Sequence, residues 1–158
     1  MTAPDSTMGV RKECVLLSVF VPGVPVPQGS MKAFHRPGMR FAVVTADNKK
    51  TKPWRLDVAA AAHGCRAGYA EVGQAVFVAV TFLMPRTKGD FGKKGLKPSA
   101  PAQHTKKPDC DKLVRAILDA LTGVVFADDS QVVSVTAVKR YVLAGEVPGC
   151  HVLVTQPT

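Results

Sequence analysis

The sequence predicts an α+β fold in one domain, residues 1–158, built on a mixed β-sheet with two main helices and one long basic loop. Three observations carry that reading. At 158 residues the chain has the length of one compact domain. Short runs rich in Val and Phe recur along it, separated by only two segments of helical period. Their order (strands, helix, strand, long loop, helix, two strands) lacks the strict alternation of a parallel fold. A hydrophobic content of 46% excludes wholesale disorder, and a domain of this size buries roughly two-thirds of its unfolded surface without needing a metal or disulfide.

The strands expected are Cys14–Val21, Phe41–Thr45, Ala75–Met84, Gln131–Val142 and His151–Thr155. The first helix is predicted over Pro53–Arg66, with Trp54, Val58, Ala61, Ala62 and Cys65 as its apolar stripe and Pro53 in its first turn. In the second, Leu113, Ala116, Ile117, Ala120 and Leu121 recur at i, i+3, i+4, i+7 and i+8. Pro108 biases Lys107 to an extended conformation, Asp109 suits the N-cap, and Gly123 suits the position just past the end.

No apolar run approaches the roughly 18 residues of a membrane span. Arg11 and Lys12 before Cys14–Val21 imitate a signal peptide, but Pro22, Gly23 and Pro25 stand where a cleavage site belongs. Cys14, Cys65, Cys110 and Cys150 form no C-x-x-C pair. A cytoplasmic protein with reduced thiols and no membrane partner is the expectation.

Charge narrows the partner. The formal net charge is +9, which on charge alone makes a polyanion the first candidate and an acidic membrane surface the second. Between Arg86 and Lys107 stand Arg86, Lys88, Lys93, Lys94, Lys97, Lys106 and Lys107 against the single acid Asp90, six of the nine net charges. Glycines and prolines interrupt this stretch and no period runs through it, so it reads as a long, flexible basic loop, a kind that is usually functional or disordered.

The loop leads into a concentration of acids. Nine of the twelve acidic residues are Asp, and Asp109, Asp111, Asp119, Asp128 and Asp129 fall within 21 residues. Asp109 and Asp111 belong at the N-terminus of the second helix, where the dipole favours ionised carboxylates. If the next strand packs beside that helix, Asp128 and Asp129 return to its start, and three or four carboxylates gather. Mg²⁺ answers such a cluster, because it takes a few carboxylates plus waters and phosphate oxygens. A metal beside flexible lysines is the arrangement that phosphodiester hydrolysis requires. Spacing also permits a plainer account, in which Asp109 caps, Asp111 pairs with Arg115, and Asp128–Asp129 make a polar turn.

Lys49, Lys50 and Lys52 crowd the start of the first helix and make it a candidate phosphate site. Lys32, Arg36 and Arg40 lie near Phe34 and Phe41, a mixture that suits unpaired bases or a core. His104 and Cys110 lack a recognised metal spacing and stay outside the metal site.

The segment H-T-K-K-P-D-C-D-K-L-V-R-A-I-L-D-A-L-T-G-V-V-F-A-D-D-S-Q-V-V, His104 to Val133, resembles the RusA family of Holliday junction resolvases, in particular its phage and prophage members. P-V-P-Q-G-S-M-K, Pro25 to Lys32, is similar to the family's N-terminal region. The resemblance implies a homodimeric, Mg²⁺-dependent endonuclease that cuts four-way DNA junctions in recombination and repair, with Mn²⁺ as the expected substitute metal. By motif, Asp109, Asp111 and Asp129 match the catalytic metal-binding aspartates. Asp128 matches a further acid, and Asp119 is assigned to structure. Arg115 stands where many members carry Lys; it keeps the charge but cannot donate a proton at neutral pH. Lys112 replaces a common Asn.

The DNA-contacting set expected is Lys32, Lys49, Lys50, Lys52, Lys88, Lys93, Lys94, Lys97, Lys106 and Lys107. Paired incision of a two-fold junction calls for a two-fold dimer. The alternatives are a broader nuclease of forks and flaps, or a non-catalytic junction-binding protein.

Overall fold

The computed structural model describes residues 13–29, 31–34, 37–38, 40–41, 43–46 and 48–158, with 31–34 and 43–46 described by backbone alone. Strand β1 spans Glu13–Pro22, and β2 (Met31–Phe34) pairs antiparallel with β3 (Val43–Ala46). Helix α1 covers Thr51–Cys65 and β4 covers Val76–Met84. Two short strands, β5 (Phe91–Gly92) and β6 (Gly95–Leu96), form a hairpin; α2 (Cys110–Leu121), β7 (Val132–Tyr141) and β8 (Gly149–Pro157) complete the chain.

The central sheet runs β1-β8-β4-β7. The first two pairings are antiparallel and β4 pairs with β7 in parallel, so the sheet is mixed, as the element order implied. Alternation along β4 turns Val76, Val78, Val80 and Phe82 inward. The two helices pack on each other, α1 against β1 and α2 against β7, which places the core between one face of the sheet and the helix pair. The predicted stripe of α2 is that core: Leu113, Ala116, Ile117, Ala120 and Leu121 are all buried. Gly123 takes φ +77 just past the helix, the left-handed conformation that ends it. In α1, Trp54, Val58 and Ala62 are buried, while Cys65 at the last turn is exposed.

Two expectations need correction, and one strand was not foreseen. The third strand begins at Val43, not Phe41, whose ring is 81% exposed. Its partner β2 escaped notice because Met31–Phe34 is too short to show a period. The basic stretch Arg86–Lys107, expected as an unpatterned loop, carries local order. The Asp90 carboxylate accepts from the Thr87 N–H at 2.9 Å, the β5–β6 hairpin follows, and Lys97 Nζ donates to the Gly89 carbonyl at 2.8 Å. Short-range polar contacts made by Thr, Asp and Lys produce that order without hydrophobic periodicity.

Candidate active site

Helix α2 begins where the end of β7 meets the incoming chain. Lys139, near the end of β7, donates from Nζ to the carbonyls of Lys106 at 2.7 Å and Pro108 at 2.6 Å. Tyr141 donates its N–H to Ala102 O at 3.0 Å, and Arg86 donates to Pro101 O at 2.9 Å. The segment before the helix is thus strapped to the end of the sheet. His104 lies inside this strap, buried with its ring 4.7 Å from that of Tyr141. Its desolvation, assisted by the Lys139 charge, pushes the imidazole below its usual pKa.

Asp109 is the N-cap of α2 with extended backbone (φ −70, ψ 142), as its position in the sequence predicted, yet its carboxylate makes no capping hydrogen bond. It lies 3.6 Å from Lys112 Nζ, an exposed ion pair too long to be a hydrogen bond. Asp111, in the first turn, is exposed, and so is Arg115 one turn further on. No ion pair joins Asp111 to Arg115 among the described residues, so both charges face solvent. Asp119, by contrast, pairs with Arg55 of α1 at 3.7 Å and ties the two helices together.

The second acid pair is positioned by Gln131. Its Nε2 donates to the carbonyls of Glu71 at 2.6 Å and Gln74 at 2.9 Å, and its Oε1 accepts from the Asp128 N–H at 2.9 Å. Asp128 caps the short turn Asp129–Gln131 by accepting from Ser130 N at 2.8 Å. Ser130 holds the Asp128 carboxyl below its usual pKa. Asp129 is exposed beside it.

The two acid pairs do not meet within one chain. Lys139, near the end of β7, bonds the chain just before Asp109, whereas Asp128 and Asp129 precede Val132 at the opposite end of β7. The twelve-residue helix α2, about 18 Å long at 1.5 Å per residue, runs from the first pair toward the second. Among the described residues no three His, Cys, Asp or Glu side chains converge to hold a metal ion. The expected return of Asp128–Asp129 to the helix start therefore does not occur in a single protomer: α2 runs antiparallel to β7 and spans the gap. The donor chemistry at the helix start still suits Mg²⁺, which is commonly held by one or two carboxylates together with water and phosphate oxygens.

The basic groups divide by location. Lys50 is the N-cap residue of α1, and Lys49, Lys50 and Lys52 are all exposed there. Lys50, Lys107 and Lys112 border the same recess as Asp109, which brings the first helix's cationic start to the acid pair. Lys88, Lys93, Lys94, Lys97, Lys106 and Lys107 are exposed. Arg40 is exposed, the Lys32 and Phe34 side chains and Arg36 lie outside the described residues, and Trp54 is buried in the core.

Sequence reasoning passed over Lys139 and Gln131. Lys139 left a trace, since it shares a strand face with Ala137 and the buried Tyr141, where a lysine is out of place unless it has partners.

The helix start thus presents two exposed carboxylates, with Lys50, Lys107 and Lys112 around the recess beside Asp109, on a chain of charge +9. The sequence profile of the endodeoxyribonuclease RusA family matches residues 22–155, and the chain belongs to that family. YqaN, an uncharacterised protein of Bacillus subtilis (strain 168), is 31% identical over 146 residues, which cover 91% of this chain and 97% of that protein. Membership implies an endonuclease of Holliday junctions, and so a protein that binds branched DNA; family nucleases are generally divalent-metal dependent. No helix among the described residues is long and apolar enough to cross a membrane.

Proposed function

We propose that this protein is a cytoplasmic, Mg²⁺-dependent endodeoxyribonuclease that resolves four-way DNA junctions as a homodimer, Mn²⁺ substituting. The observation that carries the proposal is the exposure of Asp109 and Asp111 at the start of a buried-stripe helix: neither is used for capping, and among the described residues Asp109 meets only the Lys112 ammonium, at 3.6 Å. Asp109 and Asp111 would hold the metal. Bound there, a divalent ion helps deprotonate water and stabilises charge on the scissile phosphate. Arg115, unpaired and one turn away, contacts that phosphate, while Lys50, Lys106 and Lys107 hold the flanking backbone.

The separation of the acid pairs supports a dimer in which each site draws on both chains. Strand β7 is an edge of the central sheet, and Val133, Val135 and Val138 are 62%, 43% and 43% exposed along it. Ala102 and Gln103 pair with this edge at Arg140–Tyr141; the valine-bearing stretch before them is open and invites pairing with another strand. Two-fold, antiparallel pairing of β7 with a second copy sets the Lys139 end of one strand beside the Val132 end of the other. Asp109 and Asp111 of one protomer then approach the Asp128–Asp129 turn of its partner. Two such sites, related by the two-fold axis, match the two incisions that resolution needs.

The test is cleavage of a labelled four-way junction with and without Mg²⁺ by wild type and Asp111→Asn. Symmetric, metal-dependent cutting by the wild type and intact binding without cutting by the variant are expected. Equal cutting of forks and flaps would favour the broader nuclease. The separation of the acids also favours one other reading, a non-catalytic junction binder, and a wild type that stays monomeric on DNA and never cuts would establish it.

A further inference from the structure

Beside Asp109 the surface opens into a recess of about 440 Å³. Pro25, Val26, Pro27, Met84 and Pro108 give it apolar walls. The walls are anchored: Gln28 N donates to Lys112 O at 2.9 Å and the Thr51 hydroxyl donates to Pro27 O at 2.9 Å, tying the Pro25–Gln28 segment to the starts of both helices. Lys50, Lys107 and Lys112 stand around the lining, against the one carboxylate of Asp109.

An apolar slot with a cationic border matches one chemical class closely, a flat heteroaromatic base attached to a phosphodiester. We infer that the recess accepts a nucleobase of branched DNA turned out of its stack, with its flanking phosphates on Lys50, Lys107 and Lys112. The volume lies in the range of sites that enclose small ligands, and a duplex does not fit it. In an open junction a base at the branch point lacks one stacking neighbour and costs less to unstack than a base within an arm. Seating one base here draws the adjoining backbone across Asp109 and Asp111. The recess would thereby select both branched structure and the position of the cut. This inference rests on the DNA-cleaving function proposed above and adds to it a base-binding subsite.

The recess lining contains no aromatic ring, which makes the inference measurable. A 2-aminopurine is placed at the branch point of a four-way junction, or within an arm as a control, and titrated with full-length protein in EDTA. Binding is expected to raise the branch-point fluorescence several-fold and leave the arm probe unchanged. Val24 borders the recess and is 53% exposed, so Val24→Met narrows it without opening the core or adding a ring on which a base could stack. That variant is expected to bind within about threefold of wild type, through the unaltered lysines, and to lose most of the fluorescence rise.

A wild-type complex with no rise at the branch point overturns the subsite and leaves the nuclease proposal standing. A rise unchanged in Val24→Met does the same. If Val24→Met turns a dimer into a monomer by light scattering, the recess is a contact between copies and the inference is wrong. Failure to bind branched DNA at all removes the nuclease reading, and the subsite with it.

Discussion

Lys139 donates to the carbonyl of Pro108 at 2.6 Å, one residue before Asp109, and so links the end of β7 to the residue that opens α2. The ammonium also reaches Lys106 O, so a single side chain fixes the direction from which the acid pair is presented. Lys139 is a positioning residue, since its bonds go to backbone and not to the expected substrate.

Removing that anchor has a defined outcome. Lys139→Met is expected to lose about 1–3 kcal/mol of stability, the scale of hydrogen bonds to a charged donor. Junction binding should stay within about threefold while single-turnover cleavage slows about tenfold, as expected when a reacting group is displaced by a fraction of an ångström. Thermal melts, binding and cleavage measured on one preparation check this. A full loss of stability with unchanged cleavage per folded molecule would make Lys139 purely structural.

The composite site predicts complementation. Asp111→Asn and Asp129→Asn should each be inactive alone. Mixed and allowed to exchange subunits, they form a heterodimer in which one site carries both substitutions and the other carries neither. Nicking is expected to return to the mixture at up to about half of the wild-type rate per heterodimer, from one intact site in two. Sites confined to single chains would leave every site damaged and the mixture dead.

Salt dependence reports the lysines. Junction affinity should fall linearly on a log–log plot against salt concentration. Replacing Lys93 and Lys94 with Gln should reduce the slope by roughly 0.7–0.9 for each residue that touches phosphate. Fluorescence anisotropy across a salt series measures it. An unchanged slope places the β5–β6 hairpin away from DNA.

His104 makes stability depend on pH. Burial and Lys139 lower its folded pKa below the ordinary value of 6.5, so the unfolded chain takes up a proton more readily. The contribution is fully present above about 6.5, the unfolded value, and is lost as pH falls through the lower folded one. Denaturant midpoints should decline over that window in wild type, and the decline should be smaller in His104→Leu. Parallel declines in both proteins would exclude His104 as the source.

Much of the fold was legible in the residue order. The stripe Leu113, Ala116, Ile117, Ala120 and Leu121 is the buried face of α2, and the Val-rich runs are β1, β4, β7 and β8, because period and β-branching are local properties. β2, β5 and β6 were not, since two to four residues are too few to show a period. The candidate acids were legible as residues but not as a constellation. Asp109 at a helix start follows from Pro108 before it and an apolar stripe after it. That Asp129 ends up a helix length away does not, because the direction in which β7 passes α2 is set by pairing with β4, some fifty residues earlier.

By itself, then, the sequence determined the α+β class, the two helices, the excess positive charge and the identity of the acids, all of which depend on composition or on neighbours within a few turns. Only the tertiary structure decided that Lys50 stands beside Asp109, that Lys139 and Gln131 hold the two acid turns, and that these turns face opposite ends of one strand. Those relations arise from strand pairing and helix packing between distant segments, which no local pattern encodes.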